Sequence, residues 1–170
     1  GGSLDLRRSQ FGPSGPSSAS TPITLALDRV RITDTIELNN MQGQFTTSEG
    51  LDGAFTGRVN GETPVSGRIV PMDGRSGLRI TSDDAGGVFA SAGVLRQARG
   101  GALDLTLRPV GTGGAFDGTL RVSQISIRDA PVMAALLNAV SIVGLLDELG
   151  GTGIFFSEVE GKFRLSPGQI

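Results

Sequence analysis

The sequence predicts a mainly β protein: an antiparallel meander sheet, strongly curved into a taco-like groove, with a short helix near 83–93 and a longer apolar helix, possibly broken in two, near 131–149. Three observations predict this. Short runs of alternating apolar residues recur between residues 23 and 165, turn dipeptides separate them, and one stretch, 130–151, is apolar on nearly every side. A helix with so narrow a polar stripe, Asn138, Ser141 and Glu148 with Asp147 beside it, needs an apolar partner around most of its circumference, and a sheet is the partner the rest of the chain offers.

At 170 residues the chain is long enough for one domain with a sizeable core. Its 27 glycines and 38% apolar content suit a turn-rich β protein better than a helical bundle. Residues 1–21 read as a Gly-Gly-Ser expression scar and a flexible Ser/Pro/Gly-rich lead-in, and 22–170 as a single β-rich domain.

Within that domain Ile23, Leu25 and Leu27 share one face, whereas Val30 and Ile32 have the opposite parity, which implies a bulge or bend between them. Strands follow at 36–38, 41–46, 53–59, 65–70 and 77–80, separated by Asn39-Asn40, Asn60-Gly61 and Asp73-Gly74. Connections this short leave no room for parallel crossovers. Met41-Gly43-Phe45 and Phe55-Gly57-Val59 each set glycine beside large apolar residues on one face; strong curvature explains this, and so does relief of crowding in a sandwich core. The stretch 82–94 reads as a short amphipathic helix capped by Ser82 or Asp83, with Val88, Phe89 and Ala92 on one face. Strands resume at 102–108 and 115–122, joined by a glycine-rich hairpin and extended by Ile125 and Ile127. After the long helix, which Gly150-Gly151 terminates, a final strand runs over 155–165. Of Phe155-Phe156, one belongs in the core and the other against the long helix or an exposed contact.

The chain has no His, Cys, Trp or Tyr, which removes the usual general base, thiolate chemistry and the commonest zinc ligands. Asp83-Asp84 reads as a helix start rather than a catalytic carboxylate pair, and the glycine-rich stretch 110–114 lacks the Lys-Ser/Thr ending of a phosphate loop. The reading is a non-enzyme with no cofactor, catalytic residue or metal. A net charge of -2 from 15 basic and 17 acidic groups does not attract nucleic acid. The opening residues lack the apolar core of a signal peptide, and 130–146 falls short of the roughly 20 apolar residues of a membrane-spanning helix.

Two stretches, TSDDAGGVFASAGVLRQARGGALDLTL at 81–107 and FDGTLRVSQISIRDAPVMAALLNAVSIVGLLDELGGTGIFFSEVEGKFRL at 116–165, resemble the YhdP-type branch of the AsmA-like superfamily of bacterial envelope proteins. The resemblance implies a periplasm-facing protein, anchored in the inner membrane, whose curved β groove lets phospholipid slide between inner and outer membranes. This sequence lacks such a protein's membrane helix and is too short to bridge the periplasm, so it reads as a soluble segment excised from a longer chain.

On that reading Leu105, Leu107, Leu120, Val122 and Phe89 face the lipid, while Leu136, Leu137, Val140, Val143 and Leu146 of the long helix close or gate the groove. The partners expected are phospholipid, flanking segments of the same chain and further copies through bare sheet edges. The alternative is a structural or assembly module of an envelope complex, its core filled by its own helix and without a lipid channel.

Overall fold

The computed structural model describes residues 2–5, 22–47, 50–72, 74–111, 114–128 and 154–166. Alternating sequence here becomes ten strands: β1 (Ser3–Asp5), β2 (Ile23–Arg31), β3 (Glu37–Thr46), β4 (Asp52–Val59), β5 (Thr63–Met72), β6 (Arg75–Ser82), β7 (Ala98–Arg99), β8 (Ala102–Val110), β9 (Ala115–Ile127) and β10 (Ile154–Leu165). They form one open sheet in the order β1-β2-β3-β4-β5-β6-β8-β9-β10, with β7 in line with β8 against β9. The single helix among the described residues, α1 (Ala85–Ser91), follows β6. The predicted helix at 131–149 lies outside the described residues.

From β2 to β10 every neighbouring pair is antiparallel, as the short connections require. β1 departs from that rule: Ser3–Asp5, within the stretch read as lead-in, pairs in parallel with Arg29–Arg31. The residues from 6 to 22 supply the long connection that parallel pairing needs. The predicted strands at 36–38 and 41–46 are one strand, β3, and Asn39-Asn40 is not a turn between them. Asn40 instead takes a left-handed conformation (φ 51°) inside the strand, which asparagine tolerates better than most residues, and the β3–β4 register shifts there.

This local twist explains the parity change in the sequence. On β2 the apolar set passes from Leu27 to Val30, and on β3 from Met41 to Leu38, yet Leu27 still opposes Met41 and Val30 opposes Leu38. The two strands turn over together, so apolar residues keep to one face. A second crease crosses β9, where Gln124 (φ 55°) separates Val122 from Ile125, and β10 reverses in step, with Val159 opposite Val122 and Phe156 opposite Ile125. The line continues through Gly100 and Gly101 between β7 and β8, both at positive φ.

Helix α1 sits on that second crease. The N–H groups of Ala85 and Gly86 donate to the carbonyls of Gly101 and Gly100, each at 2.8 Å, and a side chain at Gly86 would lie 2.5 Å from the Arg99 Cα. Only glycine permits so close an approach. The cap is Asp84, not Ser82 or Asp83: its Oδ1 accepts from the Gly87 N–H at 2.8 Å. Ser82 is buried and donates to the Pro64 carbonyl. Asn60, at positive φ in the β4–β5 turn, accepts from the Glu37 N–H and donates to the carbonyls of Thr35 and Ser91, which ties the far end of α1 to two hairpins.

Two apolar clusters result, one around Phe45, Phe55, Val30 and Val65 and one around Leu103, Val122, Ile127 and Phe156, and Val88 of α1 packs against both. No second sheet covers them among the described residues. Instead, large side chains lie across glycines of adjacent strands. A Cβ at Gly67 would fall 2.0 Å from the Phe55 ring, one at Gly53 2.4 Å from the Phe45 ring, and one at Gly118 2.3 Å from the Phe163 ring. At Gly43 and Gly57 an added Cβ would meet Phe45 at 2.6 Å and Leu38 at 2.7 Å, so these glycines too relieve crowding from side chains within the sheet itself.

Gly67→Val is therefore expected to destabilise the fold by about 1–3 kcal/mol, the usual range for overpacking. Gly161→Val, at a position with nothing within 4 Å, is expected to change stability by less than about 0.5 kcal/mol. Equilibrium denaturation of the two variants checks the difference, and equal effects would contradict the ring-over-glycine packing.

Candidate apolar binding face

Because directly opposed residues of a sheet share a face, the register defines rows that cross it. One row starts at Leu25 and passes through Gly43, Phe55, Gly67, Ile80, Leu105 and Leu120 to Gly161. The adjacent row starts at Ile23 and passes through Phe45, Gly53, Ile69, Leu78, Leu107 and Gly118 to Phe163. Both rows are apolar or glycine on all eight strands. At about 4.8 Å per strand the strip is roughly 34 Å long.

Of the sequence-predicted residues, Leu105 and Leu120 oppose each other in the first row and Leu107 lies in the second; all three are half-buried. Val122, opposite Leu103 and 2% exposed, belongs to the covered core, and Phe89 of α1 packs against that same cluster. Those two help close one side of the strip rather than line its open part. Leu136, Leu137, Val140, Val143 and Leu146 lie outside the described residues. Leu78, Ile80 and Ile69 complete the middle of the strip and were not among the predicted contacts, although the shared parity of Leu78 and Ile80 within 77–80 is a sequence signal for them. Phe156 is in the core and Phe155 is exposed.

The opposite face carries charge in cross-strand pairs. Arg164 holds Asp117 through two bonds of 2.7 and 3.1 Å, Arg79 grips Asp104, and Glu160 accepts from Arg121 at 3.0 Å with Lys162 at 3.2 Å. The two faces thus have opposite solvent preferences.

No family model, curated protein or solved structure matches this chain.

Other surface features do not compete with the strip. A cleft of about 620 Å³ beside α1 is lined by Glu62, Asp84, Arg96 and Arg99, and one of about 500 Å³ by Gln42, Thr56, Ser66 and Thr81 among others. Asp84 is engaged as the helix cap. Among the described residues no cluster of His, Cys, Asp or Glu is placed to hold a metal ion, and no helix is long and apolar enough to cross a membrane.

Hydrogen bonds from Arg164 hold the Asp117 carboxyl below its ordinary pKa, and bonds from Arg121 and then Lys162 do the same for Glu160. A carboxylate depressed in the folded state contributes stability above its unfolded pKa, and that contribution disappears as pH falls through the folded value. Both pairs lie on the solvent-facing side of the sheet with their arginines exposed, so the contribution is small and screened by salt. Denaturant titrations from pH 7 to pH 2 are expected to show a shallower acid loss of stability below about pH 4 for Asp117→Asn than for the parent chain; identical profiles would contradict the pairing.

Proposed function

We propose that the apolar strip binds phospholipid acyl chains, and that this chain is a segment of a periplasm-facing, AsmA-like groove protein, anchored in the inner membrane, through which lipid moves. The observation that carries the reading is the pair of uninterrupted apolar rows across eight strands of one sheet, which among the described residues α1 covers along one side. The creases at Asn40, where the β3–β4 register shifts, and at Gln124 bend the strands, which supports a trough rather than a flat surface.

The magnitudes suit transport better than storage. One leaflet of hydrocarbon is about 15 Å deep, half the bilayer core, so a strip of roughly 34 Å exceeds the reach of one extended acyl chain. Full burial of a methylene contributes about 0.8 kcal/mol, so ten methylenes half-covered on an open face gain about 4 kcal/mol before ordering is subtracted. Such binding is reversible and nearly uniform along the strip. Acyl chains lie against Ile80, Leu105, Leu107 and Leu120, headgroups remain in water, and no covalent chemistry is needed.

The second reading, a structural or assembly module with a self-filled core, is favoured by the covered end of the sheet, where Leu103, Val122, Ile125, Ile127 and Phe156 are all buried. A phospholipid carrying a photoreactive acyl chain separates the two. Labelling of the purified protein is expected to fall at least about fivefold in Leu105→Asp and Leu120→Asp and to persist in Arg79→Gln on the opposite face, with circular dichroism confirming that each variant folds. Undiminished labelling in the folded leucine variants, or no labelling of the parent chain, would contradict lipid binding.

A further inference from the structure

Helix α1 has two working sides. Val88 and Phe89 pack against the apolar clusters, and at about 100° per residue Gly87 and Ala90 fall on the opposite side, along the cleft of about 620 Å³ that Glu62, Asp84, Arg96 and Arg99 border. We infer that this cleft binds a compact zwitterion, a phosphate joined to an ammonium by a short chain. That is the chemistry of an ethanolamine phospholipid headgroup and of its free glycerophosphoryl form.

The charges around the cleft do not neutralise one another. On the sheet, Arg121 meets Glu160 at 3.0 Å and Arg164 meets Asp117 at 2.7 Å, but no ion pair among the described residues includes Glu62, Asp84, Arg96 or Arg99. The two signs reach the cleft from different directions. Glu62 comes with the β4–β5 turn and Asp84 with the helix start, and Asp84 and Thr63 crowd Gly87, whereas the Arg99 backbone crowds Gly86. Three of the four are already held: the Ser91 hydroxyl donates to Glu62 Oε2 at 3.0 Å, Asp84 Oδ1 accepts from Gly87, and Arg99 Nη1 donates to the Arg96 and Ala98 carbonyls at 2.6 Å. Little side-chain freedom is left to lose on binding.

The donor set selects the ligand. Guanidinium groups match the paired oxygens of a phosphate, and carboxylates accept from an ammonium. A ligand of one sign is attracted by one pair and repelled by the other, so only a zwitterion gains from both. Among the described residues no aromatic side chain lines the cleft, which leaves a nucleotide base nothing to stack on. All four charged residues are exposed, so a bound headgroup stays hydrated. One helix diameter, roughly 10 Å, separates the cleft from the apolar side of α1. A lipid as the source of the zwitterion therefore rests on the acyl-chain reading above, whereas a free zwitterion does not.

An amide-detected NMR titration of the protein with glycerophosphoethanolamine tests the assignment. Saturable shifts are expected at Gly87, Ala90, Ser91 and Gly93, with glycerol phosphate alone and ethanolamine alone each binding at least about tenfold more weakly. Glu62→Gln, which keeps an acceptor for Ser91, and Arg96→Gln, both folded by circular dichroism, are each expected to lose about tenfold in affinity. Ala90→Leu fills the cleft without changing charge and is expected to abolish the shifts. Dihexanoyl phosphatidylethanolamine, kept below its micelle concentration, distinguishes the sources. A lipid source predicts tighter binding than the glycerophosphoryl form, with the gain lost in Leu105→Asp, and a free source predicts equal affinity. A gain that survives Leu105→Asp upholds the cleft and counts against the strip. No saturable shift at the cleft, equal binding of the single-sign probes, or folded Glu62→Gln and Arg96→Gln variants that bind like the parent chain would each overturn the assignment.

Discussion

Phe45, Phe55 and Phe163 lie across glycines of neighbouring strands, and the single-layer sheet depends on that contact. A sheet with one apolar face normally buries it against a second layer. Here a glycine leaves room for an adjacent ring to lie close to the backbone, so Phe45 and Phe55 are buried without a facing sheet. The aromatic covers the exposed glycine backbone while the glycine removes the clash, a cross-strand exchange that also pins register.

Sidedness depends on a second constraint. Strands that fold over at Asn40 and Gln124 would present apolar residues to water unless their partners turned over at the same place. The pairs Leu27–Met41 and Val30–Leu38, and likewise Val122–Val159 and Ile125–Phe156, show partners doing so in register. Charge is consequently confined to the opposite face, where Arg79, Arg121 and Arg164 find carboxylates on adjacent strands. The proposed lipid contact on one face and solvation on the other both rest on that division.

Strand positions, the antiparallel meander, the short helix and the shared face of Leu105, Leu107 and Leu120 were legible in the sequence, because period-two alternation with intervening turn residues records burial directly. The parity change after Leu27 was legible as a bend, but its cause was not, since Asn39-Asn40 has the composition of a hairpin turn and only pairing with β2 keeps it within a strand. Asp84 displaced Ser82 as the cap because Ser82 is drawn into a bond with Pro64, a contact between strands that local sequence does not encode. Parallel pairing of β1 joins residues far apart in sequence, and three residues carry no periodic signal. The covered state of Val122 and Phe89 depends on where α1 comes to rest, on a crease set by Gly100, Gly101 and Gln124.

The central claim is that an acyl chain occupies the strip between the buried clusters. Methyl-resolved NMR of the protein with a phospholipid spin-labelled near the end of its acyl chain tests it most directly. The account predicts strong paramagnetic broadening of the Leu78, Ile80, Leu105, Leu107 and Leu120 methyl groups, with the Val30 methyls, deep in their cluster, much less affected. Uniform weak broadening across all methyl groups, or broadening confined to Val94 and other isolated exposed residues, would contradict it.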